Sequence, residues 1–94
     1  MTAENIDDIT ISYEEEGSEL VKQLDKEILT RGSWTTIMFR YQDFDKAKQE
    51  WNEPKVSIRR YQKSGGTYKQ RSKFNISGAK QAQQIIEILK KWYR

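Results

Sequence analysis

From Lys55 to Lys73 the chain carries seven basic residues and no acid, with Tyr61 and Tyr68 among them. Cations that track a phosphate backbone, set beside rings on which bases stack, are what sequence-tolerant binding of a single strand requires. Cations alone would serve a duplex backbone equally well. Period-two arithmetic over 55–63 points Lys55, Ser57, Arg59, Tyr61 and Lys63 to one side and Val56 and Ile58 to the other. Over 67–76 it sets Lys69, Arg71, Lys73 and Asn75 against Tyr68, Ser72, Phe74 and Ile76. Taking the apolar side as core predicts a water-facing surface that gathers Arg59, Tyr61, Lys63, Lys69, Arg71 and Lys73, with Lys55 at its start. Like charges facing one another across strands cost roughly a few tenths of a kcal/mol per pair. An ordinary solvated face would intersperse carboxylates, unless neighbouring strands or the Asp43–Glu53 segment supply them.

Two further aromatic positions bear on the same chemistry. In WTTIMFRY, residues 34–41, Trp34, Thr36, Met38 and Arg40 share one side and Thr35, Ile37, Phe39 and Tyr41 the other. Both sides are too apolar to assign by pattern. If the first set is wet, Trp34 and Arg40 join Tyr61 as a stacking platform beside charge. Trp51, in KQEWNEP, has no periodic reason to be buried, and it either plugs the end of the core or stacks on a base. Phe74 and Trp92 read as core or subunit contacts.

Catalysis finds little to work with. The chain has no cysteine and no histidine, which excludes disulfides, cysteine-rich zinc sites and histidine-dependent chemistry. No glycine-rich phosphate loop or dinucleotide fingerprint is present, and Ser64-Gly65-Gly66 reads as a turn. The acid pairs Asp43/Asp45 and Glu50/Glu53 fall in a solvated connection with nothing to raise a carboxyl pKa. A carboxylate-only magnesium nuclease is the one catalytic alternative that composition leaves. The expectation is a binding protein with no catalytic residue, no metal site and no cofactor. No apolar run approaches the ~20 residues of a membrane span. The start MTAENIDDIT lacks a secretory pattern, so a cytoplasmic protein is expected, nucleoid-associated if DNA is its partner.

Around these residues the chain organises as one small domain with segregated charge. Residues 1–27 hold nine acids against two lysines, a balance of −7, and residues 28–94 hold fifteen bases against five acids, or +10. Such asymmetry speaks to partners: a basic body attracts polyanions, and an acidic arm repels or mimics them. Residues 1–19 read as a mobile acidic arm able to compete with nucleic acid, although the alternation in IDDITISY would also suit an edge strand. LVKQLDKEIL, residues 20–29, reads as a strand or a short helix, with strand favoured by the TRGS turn that follows. The 34–41 run is the firmest strand. A polar connection to Pro54 follows, with a helical turn around Lys46–Glu50. Strands 55–63 and 67–76 are joined by the glycine turn.

Ser77 reads as an N-cap for a helix whose Ala82, Ile85, Ile86 and Leu89 fall at i, i+3, i+4, i+7, widened by Ile88 and Trp92. The predicted architecture is α+β, spanning 20–94: a four-stranded antiparallel sheet with one C-terminal helix packed on one face. The broad apolar side of that helix predicts a homodimer formed through it.

Residues 55–92 resemble the positive cofactor four family of transcriptional coactivators, which bind single-stranded DNA. The similarity is carried by Val56-Ser57-Ile58-Arg59-Arg60-Tyr61, by Gly65-Gly66, by the basic strand from Lys69 to Lys73, and by Asn75-Ile76-Ser77 before the helix. It implies a homodimer of four-stranded antiparallel sheets, each with a C-terminal helix, binding melted or single-stranded DNA in transcription regulation. Carried over, Arg59, Tyr61, Lys69, Arg71 and Lys73 fall in the DNA-binding region. Two departures concern the DNA path: the dozen residues containing Trp51 replace a compact turn, and Gln70 separates Lys69 from Arg71. The expected partner is single-stranded DNA or RNA. The alternative is an assembly module whose basic hairpin docks an acidic protein segment.

Overall fold

The β-branched and aromatic run at 34–41 becomes the centre of an antiparallel sheet. The computed structural model describes residues 3–93. Its strands are β1 (Tyr13–Glu15), β2 (Ser18–Thr30), β3 (Trp34–Asp45), β4 (Glu50–Trp51), β5 (Lys55–Ser64) and β6 (Thr67–Ile76), followed by helix α1 (Ala79–Trp92). The main sheet runs β1-β2-β3-β5-β6, and β4 pairs with the end of β3. The α+β class and the antiparallel sheet follow the sequence pattern. The expected four strands gain two short ones, an acidic edge at β1 and the β4 ribbon.

The segment foreseen as a polar connection with a helical turn is a hairpin instead. β3 continues to Asp45, whose carboxylate accepts from the backbone N–H of Ala47 (3.0 Å) and Lys48 (3.1 Å) and so closes the turn. Phe44 then faces Trp51 across the pair, edge to face at 5.3 Å between ring centroids. At the other hairpin, Gly65 (φ 60°) and Gly66 (φ 84°) supply the left-handed pair that a two-residue loop between twisted strands needs.

Cross-strand pairing sorts the side chains onto two faces. One carries Thr35, Ile37, Phe39 and Tyr41 of β3, and Ile28 beside Ile37. Its buried cluster joins Ile37, Phe39, Tyr41, Tyr61 and Tyr68 to Ile9 and Ile11, with Ala3, Ile6, Val21 and Ile28 packed against it. This covered face is therefore closed by the N-terminal segment. Residues 3–11, assigned by the sequence to a mobile arm, lie across the sheet, and Ile9 is only 5% exposed. The Tyr68 N–H donates to the Ala3 carbonyl at 2.7 Å, and the Lys26 ammonium donates to the carbonyls of Ile6 (2.7 Å) and Ile9 (2.8 Å).

The helix packs against the sheet, as expected, but lightly: none of its residues is buried. It starts after Gly78 rather than on a Ser77 cap. Gln81 reaches back instead, its side-chain oxygen accepting from the Ser77 N–H (2.7 Å) and hydroxyl (3.0 Å). Extents of 44 × 39 × 17 Å make the molecule a thin slab. Among the described residues no helix is long and apolar enough to cross a membrane.

Candidate nucleic-acid interface

On β5 the alternation places Lys55, Ser57, Arg59, Tyr61 and Lys63 on one side, as their spacing predicts, and that side is the covered face. β6 departs from simple alternation. Its register shifts between the partners of Arg60 and Tyr61: Arg60 faces Ser72, but Tyr61 faces Gln70. The irregularity at Arg71 reverses the parity on either side of it. Lys73 and Asn75 consequently share the covered side with Arg59 and Ser57, while Lys69 faces Gln62 on the opposite side. Arg71 sits at the irregularity, and its Nε donates to the Gln62 side-chain oxygen at 3.1 Å. Tyr68 and Phe74, expected together, lie on opposite faces; Tyr68 is buried and Phe74 is 51% exposed.

The expected single surface is thus divided. Arg59, Tyr61, Lys63, Lys73 and Lys55 are brought together on one face, whereas Trp34, Arg40 and Lys69 belong to the other, open face with Met38, Val56 and Ile58. Arg60 also lies on that open face, with its guanidinium 4.6 Å from the Trp34 ring centroid. Trp51 is half-buried at the β3–β4 ribbon, against Phe44 and under the Lys22 ammonium at 4.4 Å. Tyr61, expected at the surface, is 3% exposed beneath the N-terminal segment. The parity of β5 was sound; the covering layer came from a part of the chain read as a tail.

The β5–β6 half of the covered face holds a polar strip. Arg59 donates from Nε to the Ser57 hydroxyl oxygen (3.0 Å) and from Nη1 to the Gln70 side-chain Oε1 (3.1 Å). The Ser57 hydroxyl in turn donates to Asn75 Oδ1 at 2.6 Å, so the buried Ser57 side chain is satisfied. Arg59 and Lys73 stand directly opposite one another, Lys73 exposed and Arg59 half-buried. Lys55, Arg59 and Lys63 repeat every fourth residue along β5, roughly 13 Å apart at the strand rise.

Carboxylates are scarce around these groups. Among the described residues the ion pairs are Arg31 with Asp7 at 3.2 Å and Lys55 with Asp43 at 3.3 Å. Among the described residues, Arg59, Arg60, Lys63, Lys69, Arg71 and Lys73 have no carboxylate at ion-pair distance. Burial pushes Asp43 up, but hydrogen bonds from Asn52 and Lys55 and the Lys55 charge outweigh it, leaving this carboxyl below its ordinary value. Asp43 and Asp45 therefore have structural work, one in an ion pair and one in a turn. Burial raises the Tyr61 phenol above its ordinary value, partly offset by the charge and hydrogen bond of Arg59. Burial also lowers Lys26, despite the attraction of Asp7 and Asp8.

Sequence reasoning missed Lys26 and Gln23, which fasten the N-terminal segment to β2. The Gln23 side-chain oxygen accepts from the Ile11 N–H at 3.1 Å and the Thr10 hydroxyl at 3.0 Å. Lys26 in the middle of a charged run carries no sequence signal for this role. What the arrangement can do is hold anions along β5 and β6 by charge and by the unused donors of Arg59, Lys63 and Lys73. Comparison with protein-family models, with curated proteins and with solved structures finds no match for this chain.

Proposed function

We propose that this chain binds single-stranded nucleic acid, DNA foremost, without sequence preference and with no chemical step. Its phosphates would run along the β5–β6 strip at Lys55, Arg59, Lys63 and Lys73. One observation carries the reading: Arg59 and Lys73 face each other across the strands with no carboxylate between them, at a site open to water on the Lys73 side. A sheet built only to fold gains nothing from that repulsion. A polyanion removes it. The resemblance of residues 55–92 to the positive cofactor four family supports the same reading and suggests a place in transcription regulation, in the cytoplasm or at the nucleoid.

The partner of the open face is a second copy. Apolar residues that a monomer would shield are uncovered on α1, where Ile86, Ile88, Leu89 and Trp92 are exposed, and on the sheet at Phe74 and Trp34. Monomers rarely leave large apolar patches in water. A homodimer joined through α1 would cover them and leave both basic strips free. Sedimentation equilibrium checks this: a dimer is expected, and Leu89→Asp shifts it to monomer.

Binding is tested by fluorescence anisotropy of a labelled oligothymidine at several salt concentrations. Four cations on phosphates give a log-log salt slope of roughly 3 for a single strand. No binding at micromolar protein, or a flat salt dependence, contradicts the proposal. Equal competition by heparin reduces the strip to a general anion site and favours an acidic protein partner instead.

A further inference from the structure

Residues 3–11 lie over the half of the covered face that holds the tyrosines, and they bring there the chemical pattern of a single strand: flat or apolar groups over rings, anions beside cations. Ile9 and Ile11 are buried in one cluster with Tyr41, Tyr61 and Tyr68, and Ile6 packs against it. Glu4, Asp7 and Asp8 line one open cleft with Arg31, Lys63 and Tyr68. Asp7 pairs with Arg31 through exposed side chains. The outer part of this segment is lightly held. Glu4, Asn5, Asp7 and Asp8 are exposed, and the fastenings are the Ala3–Tyr68 bridge and the Lys26 ammonium on the Ile6 and Ile9 carbonyls.

We infer that residues 3–8 are an intramolecular competitor, a strap that occupies the stacking half of the nucleic-acid surface and lifts when a single strand binds in full. With the strap lifted, Tyr61 and Tyr68 take bases while Lys63, which shares the cleft with Glu4, Asp7 and Asp8 without pairing to them, meets a phosphate. The inference rests on the nucleic-acid reading above and adds its regulation and its stacking residues. Apparent affinity is then the intrinsic affinity reduced by the fraction of molecules with the strap open. A duplex, whose bases cannot stack on tyrosines, gains little from release.

The absence of cysteine from the sequence allows a clean lock. Paired residues in an antiparallel bridge have Cα atoms about 4.5–5.5 Å apart, inside the disulfide range of roughly 4.4–6.8 Å. The full chain bearing Ala3→Cys and Tyr68→Cys, which gives up the Tyr68 ring and leaves Tyr61 and Lys63 to report release, is compared with itself, oxidised and reduced, on labelled oligothymidine. Reduction is expected to tighten single-strand binding by on the order of tenfold and to leave duplex binding unchanged. Equal single-strand affinity in the two states overturns the strap, and absence of binding by the unmodified chain overturns the nucleic-acid reading itself. The unmodified chain supplies the second measurement, hydrogen exchange at the Tyr68 amide, which donates to the Ala3 carbonyl. Its protection is expected to fall on saturation with oligothymidine; protection retained in the saturated complex contradicts the inference while leaving binding established.

Discussion

Ile37, Phe39, Thr35 and Ser57 are wholly shielded on the covered face, while on the reverse of the same strands Met38, Val56 and Ile58 are only half-buried and Phe74 is exposed. Both faces are apolar along β3. They differ in what lies over them: the chain's own residues 3–11 close one, whereas on the other Ile76 is buried and its neighbours are not. A domain of this length has apolar material for little more than one complete layer. The cations follow the same division. Those on the covered side sit at the margin of the strap beside polar partners, whereas Arg60 on the open side lies against Trp34.

The largest expected effect contrasts the two faces through their aromatic residues. Phe39→Ala is expected to cost about 3–5 kcal/mol in urea denaturation, as for a fully enclosed phenylalanine. Phe74→Ala in dilute protein is expected to cost no more than about 0.5 kcal/mol. Comparable losses would mean that the faces are not distinct in the way described. Next comes Ile9→Ala, expected to cost about 2 kcal/mol or more because this side chain is buried in the core cluster. An unstructured arm would leave the midpoint unmoved.

A smaller effect concerns binding. Replacing Arg59 and Lys73 together by alanine should lower the single-strand salt slope by roughly 1.4, two phosphate contacts at ~0.7 each. Arg40→Ala on the open face should not change it. The smallest effect lies at alkaline pH. Because the folded-state pKa of Tyr61 is raised, the stability from keeping its phenol neutral is complete below the ordinary tyrosine value of about 10. That stability is lost as pH rises through the folded value. Following phenolate absorbance, Tyr61→Phe should remove a transition that lies above the ordinary tyrosine value. A curve unchanged above that value by the substitution would show Tyr61 to be unshielded.

Much of the frame could be read from residue types. The β5–β6 hairpin follows from its alternation and its glycine pair, β3 from WTTIMFRY, and α1 from its apolar stripe. The side of β5 that carries Arg59 and Tyr61 is likewise visible in the period-two pattern. Three features were not, for distinct reasons. The irregularity at Arg71 is a matter of register between strands, and nothing in KQRSK announces where alternation fails. The strap alternates isoleucine with acids, which resembles a solvated tail until a sheet with an uncovered apolar face is present to receive it. The β3–β4 ribbon depends on Phe44 and Trp51 meeting across a polar turn, a pairing that local propensity does not reveal.

The central claim is most directly tested by mapping amide chemical shifts of the full chain as oligothymidine is added. Perturbations are predicted along β5 and β6 at Lys55, Arg59, Lys63 and Lys73, spreading to Tyr61 and to residues 3–8 as saturation approaches. Shifts confined to Trp34, Met38 and Phe74, with β5 cations on the covered side unmoved, would contradict it.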